Sequence, residues 1–203
     1  MSTRRGSNTR IPIGIAAEII LRSAARPRNA GPRVIGIDGP DCAGKSTLAA
    51  ALRGASDEDT LIVHGDDFLY PDDVRAGKGG FDVATLMCDY FDWPKWEAAV
   101  AEALQRAPGL VVIEGVFLAA SPVVRFVSEK VWIDLPPSQV LERAIKRDVD
   151  VIGDHGWVER HYREQCLPAQ RIYQRYFRPQ DSTDWLLDAS GGDHHVLVVR
   201  GPE

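Results

Sequence analysis

Cysteine is scarce in this 203-residue chain: Cys42, Cys88 and Cys166 are odd in number, widely separated and without a C-x-x-C pair. That excludes a disulfide framework and a cysteine zinc site, and it fits a reducing, cytoplasmic setting. Asparagine occurs only at Asn8 and Asn29, and neither precedes lysine, so the N-K-x-D guanine motif of common GTPases is missing. No apolar run approaches the roughly 20 residues of a membrane-spanning helix. Basic residues are not in excess: 24 Lys and Arg against 29 Asp and Glu leave a net charge of −5. Nucleic acid and membrane surfaces are therefore not expected partners. His155, His161, His194 and His195 show no H-E-x-x-H or Cys-His spacing, so no metal cage is read from them. Repeats and low-complexity segments are also lacking.

What is present is enough hydrophobic sequence, 44%, for one domain with a substantial core. The first 33 residues carry seven arginines and a single acid, Glu18. That composition fits a transit peptide; it also fits a tail followed by an amphipathic helix, "IPIGIAAEIILRSAAR", packed on the core, which is the preferred reading. Residues 1–32 are thus set apart as tail and helix from a domain over residues 33–203.

Along that domain, short apolar runs alternate with helical patterns. "RVIGIDG", "TLIVHGDDF", "LVVIEGVFL" and "KVWIDLPP" read as strands, as do "DWLLDA" and "HHVLVVR" near the end. "KSTLAAALRGA", "WPKWEAAVAEALQ" and "SQVLERAIKRDV" read as helices, and a basic, aromatic helical stretch follows, kinked at Pro168. Residues 70–82, with three glycines and adjacent acids, read as loop. Continuously apolar strands alternating with helices predict an α/β fold with a parallel sheet covered on both faces. Ligands then bind beyond the carboxyl ends of the strands, where Asp38, Asp66, Asp67, Glu114 and Asp134 gather.

One stretch carries chemistry outright. Gly39-Pro40-Asp41-Cys42-Ala43-Gly44-Lys45-Ser46, followed by Thr47, satisfies G-x-x-x-x-G-K-[ST] between a strand and a helix. The glycines let the backbone N–H groups turn inward onto phosphate oxygens, and the helix adds its positive end. Lys45 supplies a point charge for the β/γ-phosphates and the Ser46 hydroxyl a ligand for Mg²⁺. The loop predicts binding of a nucleoside triphosphate. Cys42, inside the loop and near a helix start, occupies an environment that can favour the thiolate.

In their order, "GIDGPDCAGKSTLA", "GDDFLYP", "YFDW", "VVIEGVFL", "WIDLPP" and "ERAIKRD" resemble the uridine kinase-like group of P-loop kinases. That group includes pantothenate kinase, phosphoribulokinase and nicotinamide riboside kinase. The resemblance spans roughly residues 33–190 and implies a P-loop NTPase fold: a doubly wound parallel sheet of about five strands with a helical lid, here about residues 143–178. It implies ATP and Mg²⁺ as cofactors and a small hydroxylated metabolite as the other substrate, with homo-oligomerisation left open. By position, Asp66 would be the general base, Glu114 would sit near the Mg²⁺, and Arg143 and Arg147 would be lid arginines acting on the transferred phosphoryl group. Asp67 ranks second as base. An aromatic-Asp pair would hold the acceptor: Phe91-Asp92, with Tyr70 nearby, is preferred over Phe81-Asp82. The bland alternatives are that Asp66 or Asp67 caps a turn, Asp92 starts a helix, and the arginine pair forms a solvated stripe. Tyr162, Tyr173, Tyr176 and Phe177 read as helix packing, and Arg171, Arg175 and Arg178 as a solvated face. Between Asp92 and Leu110 there is room for one helix and no hairpin, and in uridine kinases that hairpin contributes to base recognition. A uridine or cytidine acceptor is therefore in doubt. The resulting expectation is ATP-dependent phosphotransfer to a hydroxyl of a nucleoside, riboside, vitamin precursor or sugar. The alternative is a nucleotide-binding regulatory protein or slow ATPase with no small-molecule acceptor.

Overall fold

The computed structural model describes residues 9–23, 31–71, 90–106, 108–192 and 195–201. Much of the predicted glycine-rich loop, and with it Phe81 and Asp82, lies outside the described residues.

The strands are β1 (Ile11–Pro12), β2 (Arg33–Asp38), β3 (Thr60–His64), β4 (Leu110–Glu114), β5 (Glu129–Asp134), β6 (Trp185–Asp188) and β7 (His195–Arg200). They form one sheet in the order β1-β7-β6-β5-β2-β4-β3. The five strands from β3 to β6 run parallel, as the alternating pattern predicts. The last strand departs from it: β7 is antiparallel to β6, and the two-residue β1 pairs antiparallel with β7. A six-residue connection from Asp188 to His195 cannot hold the crossover helix that a parallel pair requires, so the chain doubles back. β2 is central and buried along its whole length, with β4 on one side and β5 on the other. The strand order reverses there, and a crevice opens at the carboxyl ends.

The helices are α1 (Ile13–Arg22), α2 (Lys45–Ala55), α3 (Trp93–Gln105), α4 (Pro137–Ile152), α5 (His155–His161) and α6 (Leu167–Phe177). α1 and α2 cover one face of the sheet: Ala16, Ala17 and Ile20 of α1 share a core with Leu48, Ala49 and Leu52 of α2, all fully buried. Alanines at the contact let the two helices approach closely. α3 packs on the opposite face with the fully buried Trp96. Its indole lies against Gly65 and Gly115, where a Cβ would come within 2.7 and 2.9 Å of the ring, so a side chain at either glycine would push it away. Those glycines adjoin Asp66 and Glu114, so Trp96 is a floor beneath both acids.

The irregularity in this helical stretch lies before Pro168 rather than at it. Tyr162–Cys166 form a π-helical turn between α5 and α6. Pro168 offers no N–H to the carbonyl of Glu164 and its ring crowds it, and the widened turn absorbs the conflict. No helix among the described residues is long and apolar enough to cross a membrane.

Candidate functional site

The crevice at the end of β2 is a cleft of about 540 Å³ lined by every residue from Asp41 to Thr47 together with Asp66, Glu114, Arg143, Lys146 and Arg147. Its floor is the glycine loop. Gly39 has φ +154°, and a Cβ there would lie 2.5 Å from the Ile133 carbonyl of the neighbouring strand. Gly44 has φ +96°, and Cys42 takes the left-handed conformation at φ 58°. These turns curl the loop back on itself directly before α2 begins at Lys45. The Lys45 ammonium, 8% exposed, lies within the loop and donates to the carbonyls of Gly39 (3.2 Å) and Pro40 (2.8 Å).

Behind the loop, Ser46 Oγ donates to Glu114 Oε1 (3.0 Å), and His64 Nδ1–H donates to the same oxygen (2.6 Å). Glu114 is 3% exposed at the end of β4. The sequence gathers polar residues after β3, but nothing in it marks His64 as this carboxylate's partner. The Ser46 hydroxyl and Glu114 carboxylate form a pair of hard oxygen donors at the mouth of the phosphate loop. Mg²⁺ takes one or two such protein ligands and completes its shell with water and substrate phosphates. The pair fits the ion. Among the described residues, no group of three or more His, Cys, Asp or Glu is arranged around a metal position.

Asp66 sits exposed in a single 3₁₀ turn, Gly65–Phe68, and reaches the cleft wall; Asp67, next to it, is exposed and does not line the cleft. Arg143 and Arg147 both line the cleft, so they are not a stripe facing only solvent. Arg143 donates to the Cys42 carbonyl in the loop (3.2 Å) and to the Ala189 carbonyl beyond β6 (2.8 Å). Arg147 is gripped by Asp148 (Nε to Oδ1, 2.5 Å) and by the Tyr162 hydroxyl (3.1 Å).

The acceptor candidates stand apart from the cleft lining. Phe91 is buried and stacks on Trp93 and Trp96, so it acts as core. Asp92 caps α3 by accepting from Lys95 N–H (3.1 Å). Yet the chain from Phe68 to Tyr70 is zipped to the segment from Tyr90 to Asp92: Asp92 N–H donates to Phe68 O (2.8 Å) and Tyr70 N–H to Tyr90 O (2.8 Å). Both segments therefore border the Asp66 turn.

Two loop-side acids have partners far away in the chain. Gln170 Nε2 donates to Asp41 Oδ2 (2.6 Å), and the Tyr173 hydroxyl donates to Asp38 Oδ2. Gln170 and Tyr173 lie one turn apart on α6, so this helix touches both the strand end before the phosphate loop and the first half of the loop. Tyr162 and Tyr173 are packed, as their pattern predicts, but each also spends its hydroxyl on a charged group; Tyr176 is exposed.

Burial pushes Asp38 up to about 6, against hydrogen bonds from Tyr173, Gly39 and Ala119 and the charge of Lys45. An ordinary carboxylate titrates near 3.9. The folded state therefore binds the extra proton between about pH 4 and pH 6, and this group's contribution to stability grows as pH falls through that window. Asp38→Asn removes the titration. Relative to the variant, the wild type is expected to gain about 2 kcal/mol between pH 7 and pH 4.5, read by urea unfolding. A difference independent of pH would show that Asp38 does not carry this proton.

Cys42 corrects an expectation. Burial pushes its thiol up to about 11, outweighing the nearby Arg147 and Lys45 charges, so the thiol form and not the thiolate is favoured.

A phosphate loop at the end of the central one of five parallel strands defines a P-loop NTPase fold. No protein-family model and no curated protein matches the sequence. Solved structures do match. A possible uridine kinase from Bacillus stearothermophilus superposes with a TM-score of 0.61 at 19% identity, over 86% of this chain and 96% of that one. A candidate fructose transport system kinase from Silicibacter sp. TM1040 gives 0.61 at 18% identity, over 81% and 95%. In fold, the chain is thus similar to uridine kinase-like P-loop kinases.

Proposed function

We propose that this protein is an ATP-dependent kinase that phosphorylates a hydroxyl of a small metabolite. The observation that carries the reading is the convergence in one cleft of the phosphate loop, the Ser46–Glu114 pair, the Asp66 carboxylate and two arginines from α4.

The triphosphate lies along Gly39–Thr47, with loop N–H groups and Lys45 on the β- and γ-phosphates. Ser46 and Glu114 would hold Mg²⁺, which when bound offsets charge on the β- and γ-phosphate oxygens. Asp66 orients the acceptor hydroxyl and takes its proton as the hydroxyl oxygen bonds to the γ-phosphorus. The bond from that phosphorus to the β,γ-bridging oxygen breaks, and ADP leaves. Arg143 and Arg147 stabilise charge spread over the transferred group and help exclude water. The acceptor sits over the Asp66 turn, bordered by Asp67, Tyr70 and Asp92, with Phe91 fixing Asp92 from below. Nucleosides, ribosides, vitamin precursors and sugars are the candidate classes.

The test is ADP release screened over nucleosides, riboside vitamins, pantothenate and sugars. One class is expected to raise ADP release at least about tenfold over the acceptor-free rate. Uniformly slow release with every acceptor would favour a regulatory nucleotide-binding protein or slow ATPase instead.

Cys42 gives a probe independent of turnover. Its alkylation is expected to speed up about tenfold per pH unit between pH 7 and pH 10 as the thiolate fraction rises. Mg·ATP seated on the loop should slow it while affecting Cys166 less. Equal rates with and without nucleotide would count against occupation of the loop.

A further inference from the structure

We propose that the N-terminal segment from Arg10 to Ile13 forms one wall of the nucleoside end of the nucleotide site. The proposal rests on the nucleotide reading above and adds a part of the chain that lies outside residues 33–203.

The cleft lining is of two chemical kinds: the phosphate loop with its charged neighbours, and the small or apolar residues Ile13, Ala189, Gly192 and Val196, with Arg143 donating to the Ala189 and Gly192 carbonyls. Ile13, the first residue of α1, is 8% exposed, and its Cδ1 lies 4.0 Å from where a Cβ on Gly44 would stand. It therefore borders the phosphate loop itself. Its position is held from both sides: Ile11 pairs with Val196 across the sheet edge, and Ala16, Ala17 and Ile20 anchor α1 in the core.

Arg10 acts one step removed. It donates to Asp188 O (3.0 Å), Asp188 Oδ2 (2.9 Å) and Ser190 Oγ (2.8 Å). Gly191 accommodates it, since a Cβ there would fall 2.1 Å from Arg10 Nε. Arg10 thus fixes the loop after β6, whose Ala189 and Gly192 carbonyls accept from Arg143 Nη2 (2.8 and 3.4 Å), while Arg143 Nη1 reaches Cys42 O. A planar guanidinium held by backbone carbonyls, in the same cleft as the aliphatic Ile13 and Val196, is the kind of surface that a heteroaromatic base packs on. The volume of about 540 Å³ is within the usual range for a small-molecule site. A segment with this role is part of the working protein. Its removal as a targeting peptide would open the site.

The experiment compares ATP with inorganic tripolyphosphate, which shares the phosphates and lacks the nucleoside. Dissociation constants are measured calorimetrically for the full chain, Ile13→Ala and Arg10→Ala. Both variants are expected to bind ATP about five- to twentyfold more weakly, with tripolyphosphate changed by less than about twofold. Arg10→Ala keeps the test sound should Ile13→Ala disturb the core. Unchanged ATP affinity in both variants, or an equal loss for both ligands, would overturn the proposal while leaving the nucleotide reading intact. A wild-type chain that binds no ATP would overturn the reading and the proposal together.

Discussion

Lys45→Ala is expected to reduce phosphotransfer by at least about 10² to 10³, with the protein still folded. In the proposed mechanism Lys45 is the loop side chain whose charge would meet the β/γ-phosphates as negative charge shifts onto the leaving ADP. A neutral replacement removes stabilisation that grows in the transition state, so kcat falls more than ATP affinity does. The structure adds a control. Because the ammonium also donates to the Gly39 and Pro40 carbonyls, the substitution loosens the loop, and thermal unfolding should register a modest loss. Lys45→Arg keeps the charge but alters its shape, and should recover stability better than activity. Undiminished acceptor-dependent turnover in folded Lys45→Ala would sink the proposed role of the loop.

Asp66→Asn is expected to lower kcat by about 10² to 10⁴ while leaving ATP affinity near that of the wild type. Asparagine keeps the size and can still hydrogen-bond the acceptor, but it cannot take the hydroxyl proton. Asp66 lines the cleft and Asp67 does not, so Asp67→Asn should have a small effect on kcat. Asp92→Asn should mainly raise the acceptor KM. If Asp67→Asn is the variant that loses kcat, the base lies one residue along. If neither does, the slow-hydrolysis reading replaces the kinase.

Asp92 also shows how two readings of one residue coexist. Its carboxylate caps α3, as a helix-start aspartate does, and its backbone is tied to Phe68 beside the Asp66 turn. The first is local and visible as Asp92-Trp93-Pro94. The second depends on a chain crossing that no spacing in the sequence announces.

Features with short-range causes were legible in the residues themselves. The phosphate loop is such a feature: glycines at fixed offsets, a lysine and a serine, with an apolar run before and an alanine-rich helix after. So are the five parallel strands, since unbroken apolar runs alternating with helices leave few other arrangements. The carboxylates Asp66 and Glu114 were among the five acids legible at strand ends, and the resemblance to uridine kinase-like kinases picked them out. Which distant groups meet the acids around the loop followed only from the packed fold. Gln170 reaches Asp41 across 129 positions and Tyr173 reaches Asp38 across 135. His64 meets Glu114 because β3 and β4 pair in register, His64 opposite Glu114. Ile13 reaches Gly44, and Arg10 reaches Asp188, because β1 pairs with β7 and α1 packs on α2. Even the sign of the shift at Cys42 was settled this way: the helix start favours its thiolate, but burial created by folded neighbours is the larger effect. Local geometry is written in nearby residues, whereas desolvation and cross-chain contacts exist only once the sheet has brought its ends together.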